Sequence, residues 1–441
     1  MSAQRVPGPP AGAMPNGWSA ILPPRTPAPM LRGDHRADWL VLGAGVAGLA
    51  AARRIAELRP ASRVVLLDAG TVGDNASGRN SGFAIDLPHS VGTSQEELRQ
   101  AARYQRILGA GMDALQALVA RHAIDCQWRR AGKFHCAAGD AAGRVLARQR
   151  EELERIGAPC EWLDAPALAR RLGSAAFQAG LYTPGTVLLN PAALCRGLAD
   201  ALPPQVALFE NTRVLSVSLG EARVVAHTPQ GRVEAPQLFV AANGFARQLG
   251  LLARETFPLA TFASLSDPLT PDQRARLGAP EGWGATPVNA ITGATLRYTD
   301  DHRLLVRQGI AYAPGMQAPA GACERARRAH RAVFDARFPA LAGLPLPHFW
   351  QGAIAMTRNG APRWGGFAPR VHGVVGCNGA GLVKHTALAM LAVDQALGQD
   401  QPLIADALAL GRPAPLPPEP FMGWGARAYL ARERWAGRAE A

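Results

Sequence analysis

Three glycines and one acid carry the first chemistry in this chain. Gly43, Gly45 and Gly48 follow the apolar run Trp39–Leu42, and Asp68 closes a second apolar run twenty residues after Gly48. Gly43 permits a tight turn, Gly45 admits close approach of a pyrophosphate, and Gly48 allows helix and strand to pack closely. The helix that follows (about 47–58) points free N–H groups and a positive dipole end at the phosphates. Asp68 can accept hydrogen bonds from a ribose 2′-hydroxyl, which favours NAD or FAD over a 2′-phosphorylated cofactor. Strand, turn, helix and acid together predict a dinucleotide site.

Other elements must complete that site. The stretch from Thr71 to Phe83 is small and polar and predicts a loop. Ser94 and Glu97 have capping-box spacing ahead of a long amphipathic helix. Asn190-Pro191 starts another helix. Residues 206–210, 213–219 and 237–244 read as strands. ATLRYT (294–299) and RLLVRQG (303–309), joined by Asp300-Asp301-His302, read as a hairpin. Near the C-terminus, VHGVVGCNGAGLVKHT reads strand, glycine turn, helix, a second place where amides can face a ligand.

Composition limits the alternatives. The 441 residues exceed one small core and predict two intertwined domains. No apolar run approaches the roughly 20 residues of a membrane span. Residues 1–36 are rich in Pro, Ala and Gly without a signal-peptide core, and predict a partly disordered arm with Trp18 and Ile21-Leu22 as anchors. Six scattered cysteines without a C-x-x-C pair read as free thiols of a cytoplasmic protein. The net charge is +13, yet only two of the 47 basic side chains are lysines, Lys133 and Lys384. The arginines are dispersed, which argues against nucleic-acid binding. No spacing of metal ligands appears, and Ser77 lacks the context of a nucleophile elbow.

In this order the pieces resemble the FAD-dependent oxidoreductases of the D-amino acid oxidase superfamily, most closely its γ-glutamylputrescine oxidase-like branch. The resemblance runs from about Trp18 to Pro417. It rests on the glycine motif, on ASGRNSG (76–82), on VLLNPAAL, on Ala242-Asn243-Gly244, and on the block WQGAIAMTRNGAPRWGG…GCNGAGLVKHT. It implies an α/β fold: a Rossmann-like FAD domain interleaved with an α+β substrate domain on a large mixed sheet. The expected FAD domain comprises 37–95, 185–255 and 350–405; the substrate domain 96–184 and 256–349; the tail 406–441.

The resemblance further implies non-covalent FAD held by Gly43, Gly45, Gly48, Asp68, Ala69, Ser77, Gly78, Arg79, Asn80, Val214, Ala242, Asn243, Gly244, Asn378, Gly379, Gly381, Leu382 and Val383. Cys377 reads as a small buried hydrophobe rather than an attachment point. Lys384, with His385 beside it, is placed to stabilise reduced flavin or act on dioxygen. Arg297 and Arg307 on the hairpin could bind an acidic substrate group, with Tyr298 and Tyr312 lining the same cavity. Asp86 and His89 fall near the flavin, and His89 could accept a proton from substrate ammonium. Family enzymes that act on amino acids carry a carboxylate-clamping arginine in W-x-G-x-R-P; here Ile354 stands in its place. The expected partners are a small amine or amino compound and an acceptor, dioxygen or another. Oxidation of a C–OH bond, or a non-catalytic FAD-binding subunit, are the alternatives.

Overall fold

A computed structural model of the chain describes residues 4–5, 14–88, 101–250, 252 and 254–438. His89 and the capping box at Ser94–Glu97 lie outside the described residues.

The two apolar runs around the glycine motif form neighbouring parallel strands, Trp39–Leu42 and Val64–Leu67, buried at every residue. Burial on both faces is what a continuous apolar run, rather than an alternating one, specifies. They sit inside a six-stranded sheet ordered Val206–Phe209, Val64–Leu67, Trp39–Leu42, Gln237–Val240, Val371–Val375, Arg363–Ala368. The first five strands are parallel and the last is antiparallel. One face is covered by two helices that pack on each other, Val46–Leu58 and Leu382–Ala396. Their alanines let Leu49 and Ile55 reach Leu388 and Leu391 in one apolar cluster. The other face is covered by a second sheet, through Val224, Ala226 and Val233 against Leu40 and Leu238.

The remaining large sheet has eight strands ordered His348–Met356, Phe257–Leu265, Leu304–Tyr312, Thr295–Tyr298, Trp283–Pro287, Lys133–Ala137, Ala179–Thr183, Glu161–Asp164. It is mixed: the pair Trp283–Pro287 and Lys133–Ala137 is parallel and the other pairs are antiparallel. The expected hairpin is present, with Thr295–Tyr298 antiparallel to Leu304–Tyr312 and His302 at φ 62° in the turn. The helix Ala322–Arg337 packs on one face of this sheet, joining Phe334 to Leu296, Leu304 and Val306.

The chain crosses between these bodies at different points from those its sequence suggests. Strand His348–Met356, placed at the start of the last FAD segment by the sequence, is the edge of the eight-stranded sheet. The run 213–219 is extended only from Ser216 to Leu219, leaving Val214 in a loop. The described residues of both terminal segments pack on the rest of the chain. Residues Gly17–Ala20 form a helical turn with Trp18 fully buried, and Gly33–Arg36 is a strand of the five-stranded sheet. Among residues 406–441, Phe421–Ala436 is a helix packed on strand Leu304–Tyr312.

Candidate active site

A cavity of about 630 Å³ lies between the six- and eight-stranded sheets. Two helix N-termini meet it. Gly45 and Val46 begin one helix, and Gly379, Ala380, Gly381 and Leu382 lead into the other. Both present aligned amides to an anionic or electron-rich group.

The glycine turn is shaped by the neighbours it admits. Gly43 stands at φ +101°, where a side chain is strained. A Cβ on Gly48 would fall 1.7 Å from the Gly43 carbonyl oxygen, so this glycine serves helix–strand packing and does not itself line the cavity. A Cβ on Gly45 would fall 2.5 Å from Ser77 Oγ. The first thing Gly45 makes room for is therefore the ASGRNSG loop. Ser77 Oγ in turn accepts from the Val46 amide at 3.1 Å, capping the helix.

Asp68 is buried and lines the cavity. Its Oδ1 accepts from the Gly70 amide (2.9 Å) and from Asn75 Nδ2 (2.6 Å), and its Oδ2 accepts from the Ala44 amide (2.7 Å). Burial pushes its carboxyl above the ordinary value, and these donors offset part of that. Asp68 thus fastens the turn to the next loop, and Oδ2, with a single donor, keeps a lone pair for a ligand.

All six carbonyls of loop 77–82 are held, the first from within the loop and the other five from outside. Ser77 O accepts from Asn80 Nδ2, Gly78 O from Asn16 Nδ2, Arg79 O from Trp350 Nε1 and Asn80 O from Trp18 Nε1. Ser81 O and Gly82 O both accept from Arg297 Nη1. The Arg79 guanidinium ties the same loop to Met14 O and Gln351 O. Trp18 and Trp350 meet edge to face at 6.2 Å, with Arg297 5.1 Å over the Trp18 ring. Ala69, Ser77, Arg79 and Asn80 line the cavity, whereas Gly78 packs on the Gly73 carbonyl and is not among its lining residues.

The remaining walls come from later segments. Thr212 and Val214 stand beside Asp68, the Thr212 amide donating to Asp68 O. Ala242, Asn243 and Gly244 line the cavity, and Asn243 receives the Gly376 amide and donates to Cys377 Sγ at 3.3 Å. Asn378 turns away, its side chain knotted to Thr357 and Gly360. Val383 and Lys384 face a small apolar space behind the wall, with Lys384 Nζ 3.5 Å from the Tyr104 hydroxyl. Lys384 is therefore not among the residues in the main cavity. His385 is: it is buried, its Nε2 lacks a partner among the described residues, and burial drives it down to about 3, keeping the ring neutral.

Three residues expected at the substrate face also have other tasks. Arg297 is buried with its guanidinium on backbone carbonyls, lowered by burial to about 10, and lies outside the cavity lining. The Tyr312 hydroxyl donates to Glu419 and is pushed up to about 12 by burial and that carboxylate. Tyr298 packs with Trp283, away from the lining. Asp86 accepts from Thr186 Oγ1 at 3.0 Å.

Arg307 remains in the wall. It stands between Ala263 and Thr295 on the adjacent strands, both small and both lining the cavity. Its Nη1 donates to Ala290 O at 2.9 Å, and burial lowers the guanidinium to about 10. No carboxylate among the described residues pairs with it. The acids of the lining are Asp68 and Asp74, at the opposite, loop-lined side. The C-terminal helix adds Ala426, Tyr429 and Leu430, residues whose sequence context carries no mark of a cavity wall.

The cavity suits FAD on its own features. It is lined by both glycine turns, and Asp74, Thr261 and His385 each bring to it a buried polar atom with no partner among the described residues.

Residues 38–395 match the model of the FAD dependent oxidoreductase family. The chain is 29% identical over 413 residues to γ-glutamylputrescine oxidoreductase of Escherichia coli (strain K12), covering 90% of this chain and 93% of that one. It is 27% identical to the probable oxidoreductase OrdL of Rhizobium meliloti (strain 1021), covering 88% and 89%. Among solved structures, glycine oxidase from Geobacillus kaustophilus superposes with a TM-score of 0.70 at 21% identity, covering 83% of this chain and 96% of that one. With the family match spanning both turns and the loop between them, the chain belongs to the FAD dependent oxidoreductases.

Proposed function

We propose that this enzyme oxidises the C–N bond of a small amine that also carries an acidic group. Arg307 carries the reading: a cation in the cavity wall with no carboxylate partner among the described residues. FAD, which Gly45, Asp68, Ser77 and the Gly379–Leu382 turn would hold, would supply a two-electron acceptor for the carbon next to a neutral amine nitrogen, and the imine product would hydrolyse in water. The protein's part is to orient that carbon, exclude water and offer amides at the Leu382 helix start to the reduced ring. His385, neutral, can exchange a hydrogen bond there without adding charge. Dioxygen or another acceptor completes the cycle.

Strand register supports a particular substrate shape. Trp350, Ala263 and Arg307 are cross-strand neighbours, as are Ile354, Leu259 and Tyr312. The Ile354 position is thus about four residues, roughly 13 Å, along the sheet from Arg307. An acid held by Arg307 is remote from the place an α-carboxylate clamp at position 354 would hold one. The reading therefore favours amines whose acidic group is several bonds from the reacting carbon, as in ω-amino acids. A free diamine finds no acid in this part of the wall.

The test is anaerobic flavin bleaching with ω-amino acids, α-amino acids, diamines and 2-hydroxy acids. The ω-amino acids are expected to bleach fastest. Arg307→Met is expected to raise their KM by about 10- to 100-fold while leaving flavin content and the rate with uncharged amines unchanged, as for loss of a charged hydrogen bond. Faster bleaching by hydroxy acids would make C–O the bond oxidised. A yellow protein that nothing bleaches would make it a binding subunit.

A further inference from the structure

The C-terminal helix Phe421–Ala436 has two faces with different tasks. Inward, Ala426, Tyr429 and Leu430 line the cavity, and Met422 and Leu430 pack with Leu259 and Ile310. Outward, Phe421, Trp424 and Trp435 are 58, 60 and 70% exposed. At 100° per residue these three, with Ala428 and Arg432, fall within a sector of about 80°. The rings are organised: Phe421 meets Trp424 edge to face at 5.6 Å, and Arg438 lies 4.8 Å over Trp435.

The chemistry of this face selects its partner. Arg432 lies on this face and Arg438 stacks against it, whereas Arg427 turns to the Tyr312 ring and Arg434 to the Ile310 carbonyl; the helix's one acid, Glu433, is on the inward side. The helix contains no Ser, Thr, Asn or Gln. On this face the rings are separated by Ala428 and Arg432, with no acid of the helix among them. Indoles seat at the boundary of headgroups and acyl chains, and arginine stems extend along apolar surface to reach phosphates. The helix is too short and too polar to span a bilayer, and no helix of the described residues is long and apolar enough to do so. Its inward face stays on the protein, and only the outward rings are free to enter a headgroup layer. The net charge of +13 adds attraction to an anionic surface.

We propose that the outer face of this helix docks the enzyme on an anionic lipid surface, with Phe421, Trp424 and Trp435 in the headgroup layer and Arg432 and Arg438 on lipid phosphates. The docking face is the back of the cavity's own wall, so membrane contact and the substrate cavity share one element. The proposal does not rest on the substrate assignment.

Full-length, FAD-loaded protein is mixed with phosphatidylglycerol or phosphatidylcholine vesicles and followed by flotation and by quenching of tryptophan with brominated lipid. Phosphatidylglycerol is expected to bind at low salt, at least about tenfold more tightly than phosphatidylcholine, with release at about 0.5 M salt. The triple variant Phe421→Ala, Trp424→Ala, Trp435→Ala is expected to bind at least about tenfold more weakly with its flavin spectrum and turnover unchanged. Failure of the wild type to bind phosphatidylglycerol at low salt would overturn the proposal. So would equal binding by the triple variant, which would assign attraction to dispersed arginines. Self-association that the triple variant abolishes, without vesicle binding, would give the face to a second copy.

Discussion

Gly45 and Ser77 show how a motif residue can serve a neighbour other than the one its motif suggests. The Cβ clash at Gly45 is with Ser77 Oγ, 2.5 Å away, and Ser77 caps the very helix that the turn starts. Gly45→Ala is therefore expected to push Ser77 off the Val46 amide and weaken FAD binding about tenfold, the cost of a lost cap. Gly45→Val is expected to lose FAD altogether. If the loop is the first obstacle, the double variant Gly45→Ala, Ser77→Gly recovers more FAD affinity than Gly45→Ala alone. Were the pyrophosphate the sole obstacle, the second substitution would only lower affinity further; titration of the apoprotein with FAD decides. Lys384 is a second case. Its ammonium faces Tyr104 behind the Ala380–Leu382 wall. Direct contact with reduced flavin would make its loss cost two to three decades in rate. From behind the wall, Lys384→Met is expected to leave both half-reactions within about threefold, as read by anaerobic and then aerobic stopped flow.

Among the elements, the N-terminal segment departs furthest from what its composition suggests. Asn16 and Trp18 hold carbonyls of the 77–82 loop, and Gly17 is small because a Cβ there would collide with Trp350. Trp18→Ala is expected to cost about 3–5 kcal/mol of stability, as for other buried tryptophans, and to raise the FAD dissociation constant at least about tenfold. Chemical unfolding and flavin titration report the two effects separately, and unchanged FAD affinity would show that the loop holds itself. The glycine turn and its acid were legible in the sequence because their partners are near in the chain. Arg297 was not. Its position on a hairpin was readable, but its partners at Ser81 and Gly82 are more than 200 residues away. Which face of the strand meets the cavity is decided only when the sheets dock. The C-terminal helix escaped notice for a related reason: aromatic and aliphatic residues on both of its faces blur the single-stripe pattern that marks a surface helix.

At the scale of the whole molecule, burial of neutral imidazoles makes the fold acid-sensitive. His135, His330 and His385 are buried, and burial lowers them to about 4, 4 and 3 from an ordinary 6.5. The native chain keeps these rings neutral where the unfolded chain protonates them. Their contribution is fully present above about pH 6.5 and is lost as pH falls toward 4. Three protons taken up on unfolding correspond to roughly 4 kcal/mol per pH unit across the lower part of that window. Urea unfolding at stepped pH is expected to show this slope, and replacing His330, which hydrogen-bonds Ser264 and the Gln308 backbone, is expected to reduce it by about a third. A flat profile between pH 6 and 4 would show that these rings accept protons in the folded state.

The carbonyl-holding loop also has a consequence in time. Trp18 leaves the ribosome long before Trp350, yet the two indoles hold adjacent carbonyls and pack on each other. At about 5–20 residues per second, roughly 17–66 seconds of synthesis separate them. Through that interval the glycine turn and Asp68 are already made, but the loop that closes over them has only part of its support. Cofactor loading is thus expected to wait for Trp350, and ribosome-bound chains ending before it should be colourless even when FAD is abundant.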